Sequence, residues 1–245
     1  MSTKYHVGTS GWMYDHWRGR YYPADLPKTK WLDFYAHTFD TVELNNSFYR
    51  VPSEKAFTRW LDSTPAGFVY AVKVNRFITH LKKLKGVEEP LAEFLKRARL
   101  LGPKLGPLLY QLPPSLHRDD GRLEAFLNQL PGDLSHAFEF RHKSWLDEGV
   151  FELLRRYKAG FCVFDMPDLT TPVVATADFA YVRFHGREWL YAGCYSDGEL
   201  SEWARKIAVL SRGLKAVYIY FNNDAEAFAV RNAVTLRRKL RESSG

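Results

Sequence analysis

Cysteine is scarce: the 245-residue chain has two, Cys162 and Cys194. They stand in unrelated contexts, and neither falls in C-x-x-C or another zinc-ligand spacing. That argues against a disulfide framework or a structural zinc site, and so few thiols fit a reducing compartment. Long apolar runs are missing too; none approaches the roughly 18 residues that a membrane span needs. Residues 1–14 hold no apolar stretch of the kind a secretory signal carries. The expected protein is soluble and cytoplasmic, with no membrane partner. Neither G-x-G-x-x-G nor G-x-x-x-x-G-K-S/T follows any strand-like run, which weakens a nucleotide-binding fold. There is no low-complexity segment, no short repeat and no linker that would split the chain.

Apolar residues, by contrast, make 46% of the chain and charged residues 26%, an ordinary globular balance. Aromatics reach 16%, and most of that area belongs in a core. The net charge is +7, and it is local. Residues 80–104 and 231–245 each carry +4, so the remainder is close to neutral. Net charge bears on association more than on any site, so these stretches point to anionic partners only as outer basic faces.

Strand-like runs at residues 6–10, 41–48, 68–75, 108–112, 136–141, 160–165, 179–185 and 216–222 alternate with amphipathic helical runs. The helical runs cover residues 26–38, 53–63, 90–101, 122–130, 148–157, 197–214 and 224–241. Asp224 stands where an N-cap of the last helix is expected. Strands alternating with helices imply right-handed βαβ units and a parallel sheet. Eight such units suit one (β/α)8 TIM-type barrel spanning residues 1–245. An open doubly wound sheet is the alternative. The connection between strands six and seven, residues 166–177, carries two prolines and no helical pattern, so it is expected to be irregular.

Strand side chains alternate between faces. In each run the apolar residues take the helix-facing phase, which leaves polar residues looking inward: Glu43 and Asn45; Lys73 and Asn75; Gln111; Glu139 and Arg141; Arg183 and His185; Tyr220 and Asn222. Asp165 ends the sixth run and joins the set. These residues lie in the last halves of their strands, and a parallel barrel gathers those ends at one mouth, where barrel enzymes place their sites. Burying so many ionisable groups is costly unless they pair or bind something. The competing reading is a salt-bridged interior layer of Glu43, Lys73, Glu139 and Arg141 with no role beyond the scaffold. Cys162 has no histidine near it in sequence and reads as a small buried apolar residue rather than a nucleophile.

The segments V-G-T-S-G-W (residues 7–12), E-L-N-N-S-F-Y (43–49), K-V-N-R-F-I-T-H (73–80), Q-L-P-P (111–114), F-E-F-R-H-K-S-W (138–145), V-R-F-H-G (182–186) and Y-F-N-N-D (220–224) stand in this order. Together they resemble the YecE-like family, domain of unknown function seventy-two, across nearly the whole chain. The resemblance implies a TIM barrel and supplies no reaction.

Three functional readings follow. The first is a metal-independent hydrolase or lyase acting on a small anionic or polyhydroxylated ligand, with no cofactor. In it Glu43 and Glu139 divide acid and base roles, with Asp165 and His185 as further proton-transfer candidates. Arg141, Arg183 and Lys73 meet substrate charge, Lys73 alternatively forms a Schiff base, and Trp12, Tyr49 and Trp145 stack on the ligand. Asn45, Asn75, Gln111 and Asn222 bind its polar groups. The second is a divalent-metal phosphodiesterase or isomerase using Glu43, Glu139, Asp165 and His185 as ligands. The third is a nucleic-acid binder without catalysis, using the two basic stretches. Oligomeric state is not legible.

Overall fold

A computed structural model describes residues 3–186 and 191–242. Its strands are β1 (Lys4–Thr9), β2 (Thr41–Leu44), β3 (Val69–Lys73), β4 (Leu105–Leu112), β5 (His136–Phe140), β6 (Gly160–Met166), β7 (Leu169–Thr170), β8 (Phe179–Phe184) and β9 (Ala216–Phe221). Its α-helices are α1 (Trp31–Thr38), α2 (Asn46–Tyr49), α3 (Glu54–Asp62), α4 (Glu88–Ala98), α5 (Asp120–Leu127), α6 (Glu148–Arg156), α7 (Asp197–Leu210) and α8 (Phe228–Glu242). Eight strands run parallel in the order β1-β9-β8-β6-β5-β4-β3-β2. This is the expected α/β barrel.

The ring closes between β1 and β2 through a single parallel bridge, Ser10 to Glu43, with Gly11 N donating to Glu43 O at 2.8 Å. Gly8 makes that approach possible: a Cβ there would sit 2.4 Å from the Thr41 carbonyl oxygen. Outside the ring, strand residues such as Val42, Tyr70, Val72, Phe138 and Phe140 join the helices in one buried apolar layer. Helix α6 illustrates the fit. Asp147 caps its first turn at Gly149 N, and Val150, Phe151, Leu153 and Leu154 form its buried face. Each such side chain contributes about 1.5–3 kcal/mol by leaving water. Inside the ring, Ala71, Leu109, Ala137, Cys162, Tyr181 and Tyr220 make a smaller apolar plug below the mouth.

The structure departs from the sequence expectations in two places. The second strand stops at Leu44, and Asn46–Tyr49 coils into one helical turn. Ser47 is the cause: its hydroxyl donates to Leu44 O at 3.0 Å and to Lys73 O at 2.6 Å. Local side-chain bonds of this kind compete with a strand ladder. Second, Asp224 does not cap α8. Glu226 (φ 54°) and Ala227 (φ 58°) lie in the left-handed region, so the helix starts at Phe228. The Asp224 carboxylate instead lies 3.3 Å from His16 Nε2. The connection after β6 has no helix, as expected, and folds back as β7, an antiparallel hairpin on β6. No helix among the described residues is long and apolar enough to cross a membrane.

Candidate functional site at the barrel mouth

The polar residues from six strands do converge. Arg183 is the hub, with no exposed surface. Its Nη2 donates to Glu43 Oε1 at 2.8 Å and its Nη1 to Glu139 Oε2 at 2.6 Å. Glu43 also accepts from Ser10 Oγ and from Tyr181 OH, both at 2.6 Å. Glu139 accepts from Gln111 Nε2 at 2.6 Å and from Arg141 Nε. The Arg141 guanidinium lies over the Phe164 ring at 5.0 Å and donates to His185 Nε2 at 2.9 Å and Met166 Sδ at 3.1 Å. Asn222 faces His185 Nδ1 at 3.2 Å.

These groups sit below the mouth, and their partners set their protonation. Burial alone would raise the Glu139 pKa; the Arg141 and Arg183 charges overcome it and hold the carboxyl well below its ordinary range. His185 moves the other way, to about 3, because it is buried and faces the same two guanidinium groups. A histidine held neutral in this way does not exchange protons near neutral pH. Glu43 and Glu139 are therefore occupied as partners of arginine, and His185 as a hydrogen-bond acceptor.

Above this layer opens a cavity of about 440 Å³. Trp12, Tyr14, Asn45, Asn46, Tyr49, Lys73, Asn222 and Asp224 line it. Lys73 is its chemically distinctive wall. The side chain is 7% exposed and its Nζ rests 4.1 Å from the centre of the Phe48 ring. It makes no ion pair or hydrogen bond among the described residues. Burial, reinforced by Arg183 and opposed by the two glutamates, brings its pKa down to about 7. Asn45 Oδ1 is a buried acceptor with no partner among the described residues. Tyr14 donates its hydroxyl to Ser10 O, and burial raises its pKa.

Three expected site residues lie elsewhere. Trp145 is 1% exposed; it stacks on Phe140 at 4.8 Å and donates Nε1–H to Leu116 O at 2.7 Å, so it is a core residue and not a ligand platform. Asp165 has the outward phase, because Cys162 and then Phe164 face the barrel interior; its carboxylate accepts from Thr170 Oγ1 at 3.1 Å in the β7 hairpin. Asn75 is consumed locally: Nδ2 donates to Ser47 O and Phe48 O, and Oδ1 accepts from Phe77 N. Among the described residues no three His, Cys, Asp or Glu side chains converge as a metal would require.

Residues 6–245 match the model of a family described as "Protein of unknown function DUF72". The chain belongs to this family. A DUF72 family protein from Thermotoga maritima MSB8 has a crystal structure that superposes with a TM-score of 0.90. It is 32% identical, and the match covers 97% of this chain and 99% of that one. A second DUF72 structure, from Enterococcus faecalis V583, shares the fold at a TM-score of 0.84 and 21% identity, over 97% and 95% of the two chains. UPF0759 protein YunF of Bacillus subtilis (strain 168) is 26% identical over 93% of this chain and 91% of its own length. UPF0759 protein YecE of Escherichia coli (strain K12) is 32% identical over 49% and 45%.

In this DUF72 barrel the sequence reading missed Ser10, Phe48, Tyr181 and Phe164 as parts of the polar centre. Counting in twos from Arg183 reaches Tyr181, and counting in twos from Cys162 reaches Phe164 and passes over Asp165. Asp224 was legible only as a helix cap, and its place in the cavity wall depends on the left-handed turn that follows it.

Proposed function

We propose that this DUF72 protein is a lyase on a small polyhydroxylated carbonyl compound, with Lys73 as an imine-forming amine. The observation that carries the reading is the Lys73 amine itself: buried, without a carboxylate partner among the described residues, and opening into the mouth cavity. An unpaired buried ammonium is costly, and a lysine desolvated among cations is the usual form of an amine nucleophile. The neutral amine adds to the substrate carbonyl carbon; the carbonyl oxygen takes one proton from the amine and one from solvent and leaves as water, and a protonated imine that keeps the second amine hydrogen remains. That cation withdraws the electron pair of the carbon–carbon bond to be broken. Burial, with Arg183 and Arg141, lowers the amine's hold on its proton, while Asn45, Asn46 and Asn222 line the cavity with amides for substrate hydroxyls.

The hydrolase variant is less favoured because Glu43 and Glu139, its acid–base pair, are both bound to Arg183. A divalent-metal site loses Asp165 to the outward face and would compete with guanidinium for the glutamates. In the basic stretches several charges are already engaged: Arg97 with Glu93, Arg99 with Asp133, and Lys239 with Asp197. That leaves less for a phosphate backbone.

The test is borohydride reduction in the presence of glyceraldehyde, dihydroxyacetone and pyruvate, followed by peptide mapping. A covalent adduct at Lys73, lost in Lys73→Met, is the expected result. Absence of any adduct at Lys73 with all three carbonyl compounds would overturn the reading.

A further inference from the structure

Asp224 shares the mouth cavity with Lys73 and enters it by an unusual route. It follows the end of β9, and the backbone then passes through two consecutive non-glycine residues in the left-handed region, Glu226 and Ala227. Such residues cost on the order of 1–3 kcal/mol each and persist where the surroundings enforce them. Here the enforcement is visible. Trp17 Nε1 donates to Asp224 O at 2.8 Å, and His16 Nε2 meets the same oxygen at 2.9 Å. Arg20 pairs with Glu226 at 2.7 Å, so His16, Trp17 and Arg20 in the segment after β1 hold the turn. A regular helix start would spend the Asp224 carboxylate on backbone N–H groups of α8. The turn frees it from capping.

The Asp224 Oδ2 lies 3.3 Å from His16 Nε2, and the carboxylate also accepts from its own backbone N–H. The side chain is 25% exposed, and partial burial raises its pKa. Tyr14 and Asn222 stand beside it in the cavity wall. Among the described residues no arginine pairs with it, in contrast to Glu43 and Glu139 deeper in the barrel.

We infer that Asp224 is the proton-transfer carboxylate of the Lys73 site. The inference rests on the imine reading above and adds the base that the reading needs. A protonated imine at Lys73 acidifies the adjacent carbon. Asp224 takes a proton from that carbon, the C–H electron pair moves into a carbon–carbon double bond, and the imine nitrogen becomes a neutral enamine. Returning the proton to carbon reverses the step. In a cleaving direction the same carboxylate takes the proton of the hydroxyl one carbon further out, and the electron pair of the broken bond ends in the enamine.

The step is observable without knowing the natural substrate. Dihydroxyacetone in deuterated water is followed by proton NMR for loss of its carbon-bound hydrogens, and in parallel by borohydride trapping at Lys73. Wild type is expected to exchange and to trap. Asp224→Asn is expected to trap at Lys73, which also reports a folded cavity, while exchange falls at least 100-fold. Asp224→Glu should recover part of it, since a merely structural role would not distinguish glutamate from asparagine in exchange alone. Exchange at the wild-type rate in Asp224→Asn overturns the assignment, as does trapping without exchange in wild type. Absence of trapping in wild type fails the lysine reading instead, and the two failures are thereby distinct.

Discussion

Replacing Lys73 with methionine should make the protein more stable. Folding takes the Lys73 amine from water, where its ordinary value is 10.5, to a buried place where it falls to about 7. Between about pH 7 and 10.5 the unfolded chain keeps a proton that the folded chain has released, so stability rises with pH across that interval. At pH 7 the cost of the lysine is about 4 kcal/mol, from 1.4 kcal/mol per tenfold change in proton affinity. Methionine has a similar unbranched length, keeps contact with the Phe48 ring, and brings no charge. The expected gain is therefore about 4 kcal/mol near neutrality, or on the order of 10 °C in Tm for a chain of this size. The pH profile is the sharper part. The difference between the variant and wild type should be constant below pH 7 and shrink by about 1.4 kcal/mol per pH unit above it. It should vanish near 10.5. Urea unfolding of both proteins at several pH values measures this. A variant less stable than wild type, or a difference independent of pH, would refute the claim that Lys73 is an uncompensated buried amine. A stability gain accompanied by loss of adduct formation is what a group kept for chemistry at the expense of folding would give.

Arg183→Met tests the layer below. It leaves Glu43 and Glu139 buried without their shared cation, which should cost about 3–5 kcal/mol at pH 7 in chemical unfolding; a loss under about 1 kcal/mol would contradict the hub role. Part of the wild-type stability rests on Glu139, whose folded pKa is depressed. That part is present above the unfolded value of 4.5 and is lost as pH falls through the folded value, so acid should narrow the gap between the two proteins. Gly8→Ala puts a Cβ 2.4 Å from Thr41 O at the seam of the barrel, and a loss of about 1–3 kcal/mol or more is expected from thermal unfolding. A Tm equal to wild type would mean that β1 and β2 are not held as closely as described. Asp165→Asn, on the outward face, should leave adduct formation at Lys73 within twofold of wild type; loss of the adduct in a folded variant would return Asp165 to the site.

Much was legible from the chain alone, because two periodicities carry the information. The alternation of strand-like and helical runs determined a parallel barrel, and the period of two within each strand determined that Glu43, Lys73, Gln111, Glu139, Arg141, Arg183, His185 and Asn222 face one interior. Both follow from local geometry and need no long-range contact. Tertiary structure decided the rest. Whether an inward acid is a catalyst or a counter-ion depends on which strand stands opposite, and Arg183 reaching both Glu43 and Glu139 is a fact of barrel closure. Lys73 and Glu43 look alike to alternation; only packing leaves the amine facing the cavity with no ion pair among the described residues and the carboxylate sealed beneath it. Strand ends escaped the rule for the same reason. Trp145, Asn75 and Asp224 lie where the ladder gives way to turns, and there the side chain follows the loop's own hydrogen bonds, whereas Asp165 sits within β6 and obeys the alternation, which counted from Cys162 turns it outward.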